Sequence, residues 1–156
     1  MSETEKKKTR RIILMGRSEC GKTTLLQAIH KEEIRYHKTQ EVIHYEDAID
    51  TPGEYIDQAG LWRACIMTAC DADIVVLVHD AGNTMGRLPA AFNMTFAKPV
   101  IGVVTKIDGK TEAQIEVARN FLKLSGAKPI LETSAYTGQG LDELVDYIQN
   151  MDLTDY

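Results

Sequence analysis

The fold of this chain is decided by one stretch near its start, Gly16-Arg17-Ser18-Glu19-Cys20-Gly21-Lys22-Thr23. The stretch fits the pattern G-x-x-x-x-G-K-[ST]. An apolar run at residues 11–15 precedes it, and residues 24–30 after it carry apolar side chains at helical spacing. A strand, a glycine-containing loop and a helix in this order predict a phosphate-binding loop, because successive backbone N–H groups converge on an anion at the helix N-terminus.

The side chains of this loop add to what its backbone can bind. Lys22 can reach the β- and γ-phosphates of a nucleotide, and the Thr23 hydroxyl can bind Mg²⁺. We therefore expect a nucleoside triphosphate with Mg²⁺. The predicted contact residues are those of the loop and the residue after it: Gly16, Arg17, Ser18, Glu19, Cys20, Gly21, Lys22, Thr23 and Thr24.

Length and composition indicate one soluble globular domain. The chain has 156 residues, of which 44% are hydrophobic and 26% charged, and its formal net charge is -5. The negative charge argues against nucleic acid or an anionic membrane as the main partner. Its cysteines have no zinc-ligand spacing, which favours reduced thiols in a cytoplasmic protein. We expect a flexible polar arm at residues 1–9 and a single domain at residues 10–156.

Strands and helices alternate along the rest of the chain. The further predicted strands are short apolar runs, several of them rich in β-branched residues: residues 41–45, 48–50, 73–79, 99–104 and 129–133. The further predicted helices have apolar side chains every three to four residues: one from about residue 58, then 111–124 and 141–148. This alternation predicts an α/β fold, a doubly wound and mostly parallel sheet of the P-loop type.

A second motif, D-x-x-G, ends the strand at residues 48–50. Pro52 and Gly53 stop regular structure there, so Asp50 should point from a strand end into the site. Ligands of such sheets bind at the carboxyl edge of the strands. We expect Asp50 to hold a Mg²⁺-bound water and the Gly53 N–H to meet the γ-phosphate.

A third motif, T-K-I-D at residues 105–108, follows the strand at 99–104 and resembles the N-K-x-D motif with which GTPases bind the base. An ionised Asp108 only accepts hydrogen bonds, and guanine offers N1–H and its 2-amino group as paired donors. Such a charge-assisted pair contributes about 1.5–3 kcal/mol per bond. Thr105 replaces the asparagine of that motif and can make one hydrogen bond toward the phosphate-binding loop. We expect Thr105, Lys106 and Asp108 to contact the base.

A fourth motif, T-S-A at residues 133–135, follows the last predicted strand. It resembles the S-A-[KL] loop of GTPases, in which a backbone N–H meets guanine O6, so Ser134 and Ala135 join the predicted base site. The four motifs stand in the order found in small P-loop GTPases. The resemblance implies a small GTPase-like fold that binds GTP or GDP.

Longer stretches give a narrower resemblance. G-R-S-x-C-G-K-T-T-L, then Y-H-K-T-Q at residues 36–40, I-D-T-P-G-E-Y and K-P-V-I-G-V-V-T-K-I-D resemble the EutP/PduV family, accessory proteins of bacterial ethanolamine and propanediol utilisation. The resemblance covers roughly residues 12–148. It implies a cytoplasmic protein associated with a bacterial microcompartment and with a protein partner of that pathway.

Two residues carried over from the GTPase pattern bear on catalysis. Thr39 matches the switch threonine that reaches Mg²⁺ and the γ-phosphate, so it is both a catalytic and a metal candidate. Glu54 stands directly after D-x-x-G, where Ras-type enzymes have a water-orienting glutamine, and is a catalytic candidate together with Lys22. Arg17 and Arg63 are weak candidates for an arginine finger.

Three functions remain open at this point. The first is a slow GTPase-like switch, expected because the chain has no clear water-orienting glutamine or arginine finger. The second is an acetate kinase that uses ATP, an activity the family resemblance implies, with Lys38 or Arg63 holding the carboxylate of acetate. The third is a scaffold that does not hydrolyse nucleotide, against which Lys22, Thr23 and Asp50 argue.

Overall fold

The computed structural model describes residues 10–31, 42–58, 61–86 and 88–153. The arm expected at residues 1–9 lies outside them. The strands that it describes are β1 (Ile12–Met15), β2 (Ile43–His44), β3 (Ala48–Asp50), β4 (Ile74–Asp80), β5 (Val100–Thr105) and β6 (Ile130–Glu132). The helices are α1 (Lys22–Ile29), α2 (Glu54–Asp57), α3 (Trp62–Ala69), α4 (Glu112–Leu124) and α5 (Leu141–Asn150), with a 3-10 helix at Phe92–Thr95.

The strands form one sheet in the order β2-β3-β1-β4-β5-β6. All neighbours pair in parallel except β2 and β3, which are antiparallel and joined by the turn at residues 45–47. The apolar strand β4 lies at the centre between β1 and β5, and six of its seven residues are buried. A run that is buried on both faces belongs in a parallel sheet covered by helices on both sides. The predicted doubly wound α/β fold is confirmed.

The sheet separates two cores. On one face α1 and α5 bury Leu25, Leu26 and Leu144, together with the side chains of β1 and β4 that alternate toward them. On the other face α3 and α4 cover the sheet, with Cys65 and Leu122 among the buried residues. Because β1, β4 and β5 are buried on both faces over almost their whole length, a ligand can reach these strands at their ends and at the loops that follow them.

The boundaries differ from the prediction mainly after Pro52. A one-turn helix, α2, follows Gly53 directly, and the Gly53 carbonyl accepts hydrogen bonds from the amides of Ile56 and Asp57. The longer helix expected from about residue 58 begins at Trp62. Pro52 does not prevent this turn, because proline is tolerated immediately before a helix, where its missing N–H has no intrahelical partner.

Helix α4 shows how the sequence sets its own limits. Thr111 accepts a hydrogen bond from the amide of Gln114, and the Gln114 side chain accepts one from the Thr111 amide, which makes a capping box. Ser125 ends the helix and Gly126 follows with a φ of +82°. Both predicted ends are confirmed.

Within the part of the chain described by the structure, no helix combines the length and the apolar character needed to cross a membrane.

Candidate functional site

A cavity of about 300 Å³ lies at the carboxyl ends of β1, β3, β5 and β6. It has the size of a small-molecule site. The lining residues come from the loops that follow these strands and from the start of α1: Ser18, Glu19, Gly21, Lys22, Thr23, Thr24, Leu25, Gly53, Thr105, Lys106, Asp108, Thr133, Ala135 and Tyr136. Most of the residues expected from the four motifs therefore meet around one space.

The phosphate-binding loop wraps around the side chain of Lys22, which is 6% exposed. Its Nζ donates to the carbonyl oxygens of Gly16 and Arg17, at 3.0 and 3.1 Å. Gly21 caps α1 with a φ of +96°, a conformation that glycine adopts without strain. The loop thus holds an ammonium group at the N-terminus of a helix, and both features favour an anion.

Thr23 and Asp50 meet beside this lysine. Thr23 Oγ1 donates to Asp50 Oδ2 at 2.5 Å, and Asp50 is fully buried at the carboxyl end of β3. Thr51 anchors the same strand end, since its hydroxyl donates to the carbonyl of Leu14 at 2.6 Å. A hydroxyl and a carboxylate are hard oxygen donors of the kind that Mg²⁺ takes beside phosphates, so these two residues fit that ion. Their role as ligands remains a prediction.

Gly53 packs directly on the phosphate-binding loop. A Cβ at this position would lie 2.1 Å from the amide nitrogen of Ser18 and 2.3 Å from its Cα. Real side chains do not approach a backbone so closely, and only glycine fits. The D-x-x-G segment therefore lies against Ser18 at one end of the cavity.

Asp57 ties α2 to the same loop. Its Oδ2 accepts a hydrogen bond from Ser18 Oγ at 2.8 Å, and its Oδ1 lies 3.6 Å from Arg17 Nε. Arg17, considered above as an arginine-finger candidate, is engaged in this ion pair in the structure. We call Arg17, Ser18, Gly53 and Asp57 the phosphate-side cluster: Ser18 and Gly53 line the cavity, and Asp57 joins Ser18 to Arg17 beside it.

The opposite end of the cavity is built by the loops after β5 and β6. Thr105 is buried, and its hydroxyl donates to the carbonyl of Cys20. This is the single hydrogen bond toward the phosphate-binding loop that the sequence predicts for threonine. Ser134 is also buried, and its hydroxyl donates to Asp108 Oδ1 at 2.8 Å. The Asp108 carboxylate is thereby fixed at the mouth of the cavity; we call Thr105, Lys106, Asp108 and Ser134 the base-side cluster.

Lys106 links the base-side cluster to the phosphate-binding loop. Its Nζ donates to the carbonyl of Glu19 at 2.8 Å and lies 3.1 Å from Asp80 Oδ2. Lys106 and Glu19 both adopt positive φ values, 59° and 66°, which are uncommon for residues other than glycine. Such conformations persist where surrounding contacts enforce them and often mark functional loops. Here the hydrogen bond between the two strained residues holds the base-side loop on the phosphate-binding loop.

Several predicted residues contribute without lining the cavity. Gly16 and Arg17 supply the carbonyl acceptors of Lys22, and Cys20 supplies the acceptor of Thr105. Glu54 is the half-buried first residue of α2 and is not among the described residues that line the cavity. Thr39 and Lys38 lie outside the described residues. Arg63 is exposed on α3.

Three further residues belong to this site and have no motif of their own. Asp57 lies four positions after Gly53, and no pattern in the sequence connects it with Ser18. Asp80 ends the central strand β4, a position at the ligand edge of the sheet. Tyr136 is 72% exposed, lines the cavity and follows Ser134-Ala135, where the S-A-[KL] pattern has lysine or leucine. For Tyr136 the position in that motif was the available signal.

Burial shifts two groups near the site. Desolvation raises the pKa of the Cys65 thiol to about 12, although the positive charge of Lys22 acts in the opposite direction. Desolvation also lowers the pKa of His79, against the opposing effects of its hydrogen bond to Asn83 and of the Asp80 charge. Cys65 is therefore a thiol and His79 a neutral imidazole at neutral pH, and both serve packing around the strand ends.

Comparison with known proteins gives a family match and close relatives. A family model described as "Ethanolamine utilisation - propanediol utilisation" (PduV-EutP) matches residues 9–150. A propanediol utilization protein PduV of Citrobacter freundii is 37% identical over 139 residues, which cover 89% of this chain and 93% of that protein. A protein named probable acetate kinase EutP, from Escherichia coli (strain K12), is 33% identical over 146 residues, 91% of each chain.

A solved structure extends the comparison to the fold. The crystal structure of a probable GTP-binding protein engB superposes with a TM-score of 0.62 at 23% identity, covering 88% of this chain and 96% of that one. This likeness shows a P-loop GTPase-like fold, in agreement with the sheet order and the loop positions described above.

Proposed function

Because the chain belongs to the PduV-EutP family of ethanolamine and propanediol utilisation proteins, we propose that it binds guanine nucleotides and hydrolyses GTP slowly. A protein partner of that metabolism would sense whether GTP or GDP is bound. Association with a microcompartment is part of the proposal and follows from the family alone. The single domain at residues 10–156 would carry all of this activity.

The observation that carries the proposal is the Asp108 carboxylate fixed by Ser134 at the cavity mouth. An ionised carboxylate accepts hydrogen bonds only, and it complements the N1–H and 2-amino donors of guanine, which adenine lacks at these positions. Thr105 and Lys106 attach this carboxylate's loop to the phosphate-binding loop. A base recognised at Asp108 would therefore have its phosphates directed toward Lys22.

The residues of the phosphate-binding loop would stabilise the charge of the phosphates. Lys22 would exchange its carbonyl acceptors for phosphate oxygens, and the backbone N–H groups of the loop would donate to the same oxygens. Thr23 and Asp50 would hold Mg²⁺, which neutralises charge between the terminal phosphates when it is bound. Preorganised contacts of this kind supply positioning and electrostatic stabilisation.

Turnover should be slow because the two groups that usually help the attacking water are replaced or already paired. Glu54 replaces the glutamine of Ras-type enzymes, and Arg17 is paired with Asp57. With neither group supplying the usual assistance, we expect turnover on the order of 10⁻⁴ to 10⁻² per second. An activating partner would raise this rate.

The experiment is to titrate the purified protein with Mg·GTP, Mg·GDP and Mg·ATP and to follow phosphate release, with and without acetate. Tight guanine binding with slow phosphate release supports the proposal. Acetyl phosphate formed from ATP would instead identify an acetate kinase, the second function considered above. Tight binding of GTP without turnover would favour the third function considered above, a scaffold that does not hydrolyse nucleotide.

A base-exchange variant tests the observation on which the proposal depends. In Asp108→Asn the side chain offers both a donor and an acceptor, which suits xanthine because xanthine carries a carbonyl where guanine has its amino group. We expect weaker GTP binding and stronger XTP binding, measured by calorimetry. An unchanged GTP affinity would remove Asp108 from base recognition and with it the reason for preferring GTP over ATP.

A further inference from the structure

We infer that Asp57 sets the preference of this protein between nucleoside diphosphate and triphosphate. Its carboxylate accepts a hydrogen bond from Ser18 Oγ at 2.8 Å and lies 3.6 Å from Arg17 Nε; Ser18 lines the cavity, and Asp57 and Arg17 lie beside it. Ser18 Oγ and Arg17 Nε are donors that a third phosphate would use. The inference rests on the nucleotide binding proposed above.

The order of groups along the cavity identifies where a third phosphate would lie. In the sheet order β3-β1-β4-β5-β6, the loop after β1, which leads to Lys22, lies between the loop after β3 and the loops after β5 and β6 that carry Asp108 and Ser134. A chain of phosphates that starts at a base on Asp108 reaches Lys22 first. Its last member then arrives at Ser18 and Gly53, which pack against each other.

Asp57 and a third phosphate would compete for the hydroxyl hydrogen of Ser18, and this competition favours diphosphate over triphosphate. The Ser18 hydroxyl has a single hydrogen, so it cannot donate to Asp57 and to a phosphate oxygen at once. Arg17, which pairs with Asp57, is the cation for which the third phosphate would also compete. A diphosphate that ends near Lys22 leaves the contacts of Asp57 in place, whereas a triphosphate must displace them.

Charge acts in the same direction. An ionised Asp57 and a third phosphate are both anions, and their repulsion opposes binding of the triphosphate. The side chains of Arg17 and Asp57 are 29% and 31% exposed, so water screens part of this repulsion. The expected effect is therefore the moderate one of a partly exposed charge and not that of a buried one.

The decisive variant is Asp57→Asn, which keeps the size of the side chain and removes its charge. We expect it to bind a non-hydrolysable GTP analogue about three- to fivefold more tightly than the wild type, with GDP affinity unchanged. Calorimetry with Mg²⁺ present measures both affinities. Asp71→Asn is the matched control, because Asp71 is an exposed carboxylate in the turn before β4; it should change neither affinity.

The outcomes separate this inference from the proposed function. If the wild type and Asp57→Asn bind both nucleotides with the same selectivity, Asp57 does not set it and the proposed function still stands. If the wild type binds neither nucleotide, the proposed function fails and this inference with it.

Amide hydrogen exchange gives a readout that needs no nucleotide. If Asp57 fastens α2 to the phosphate-binding loop, Asp57→Ala should speed exchange of the amides of Ile56 and Gln58, which are hydrogen-bonded within α2. Residues in α4 should exchange at the wild-type rate and show that the fold is intact. Wild-type exchange in α2 of the variant would overturn the contact itself.

Discussion

The two ends of the cavity are held together in different ways. The base-side cluster depends on buried side chains: Thr105 is 4% exposed and Ser134 is fully buried, and each makes a hydrogen bond between segments distant in the chain. The phosphate-side cluster depends on side chains that are about 30% exposed, with Asp57 bridging to Ser18 and Arg17. Buried polar contacts are costly to break, whereas exposed ion pairs contribute little.

One cavity can therefore combine a rigid end, held by buried contacts, with an end whose contacts are easily exchanged. A base site that discriminates between purines needs a carboxylate in one fixed orientation, and buried anchors supply it. A phosphate site that distinguishes two phosphates from three needs contacts that can be exchanged at low cost. The following predictions test whether the two ends behave in this way, beginning with the largest effect.

Lys22→Ala should abolish measurable triphosphate binding, with a loss of about a hundredfold or more, because two charge-assisted hydrogen bonds to phosphate disappear. The base-side cluster alone should not retain the ligand. Calorimetry measures the affinity, and circular dichroism should remain close to that of the wild type. Lys123→Ala on α4 is the control, since Lys123 is exposed and does not line the cavity. Wild-type affinity in Lys22→Ala would refute the site.

Ser134→Ala should weaken GTP and GDP binding equally, by about fivefold, since Asp108 loses a hydrogen bond worth about 1 kcal/mol that orients it. The ratio of the two affinities should stay constant, because the phosphate-side cluster is untouched. Inosine triphosphate, which lacks the 2-amino group, should lose less affinity than GTP. A changed ratio would show that the two ends are coupled.

Glu54→Gln should raise the rate of GTP hydrolysis by a few fold. Glu54 directly follows Gly53, which lines the cavity, so its carboxylate would repel a bound triphosphate; glutamine removes the charge while restoring a donor. Single-turnover hydrolysis with saturating Mg²⁺ measures the effect. A fall of tenfold or more would make Glu54 a general base, and an unchanged rate would place it outside the chemistry.

Acidification should destabilise the fold through His79, whose carbonyl lies beside the Thr105 hydroxyl. Burial lowers the pKa of His79 below its ordinary value of 6.5. The unfolded chain therefore takes up the proton first, so stability is full above about pH 6.5 and is lost as the pH falls from there toward the folded-state pKa.

Thermal unfolding between pH 8 and 5.5 should show this loss as a fall of a few degrees in Tm. His79→Gln keeps a donor for the Asn83 carbonyl, which lies 2.9 Å from His79 Nε2, and should flatten the dependence over this range. An equally steep curve in the variant would assign the loss to other groups.

The sequence predicts most of the fold because most of its helices and strands have a signal in their own residues. Residues 74–78 are all apolar and mostly β-branched, which favours the centre of a parallel sheet, and Thr111 with Gln114 sets the start of α4. The short helix α2 escapes prediction. It depends on Gly53 packing on Ser18, a contact between segments 35 positions apart in the numbering.

The residues of the candidate site likewise divide into those that belong to local motifs and those whose contacts depend on distant loops. Lys22, Asp50, Asp108 and Ser134 belong to short motifs whose spacing follows from ligand chemistry, so their gathering at one edge of the sheet can be predicted from their positions just after predicted strands. Asp57 belongs to no motif, and its contact with Ser18 exists only because two loops converge. Tyr136 lies between these cases, since its place was predictable and its side chain departs from the pattern.

Arg10, the first residue described, has a bearing on how the protein can be labelled. Its guanidinium donates to the carbonyls of Ile148 and Met151 at the end of α5. Arg10 and the end of α5 therefore lie together at the amino ends of the strands, on the side away from the cavity. A fluorophore or an affinity tag attached there would leave the cavity accessible, and a short peptide joining the two points would allow new ends to be opened elsewhere by circular permutation.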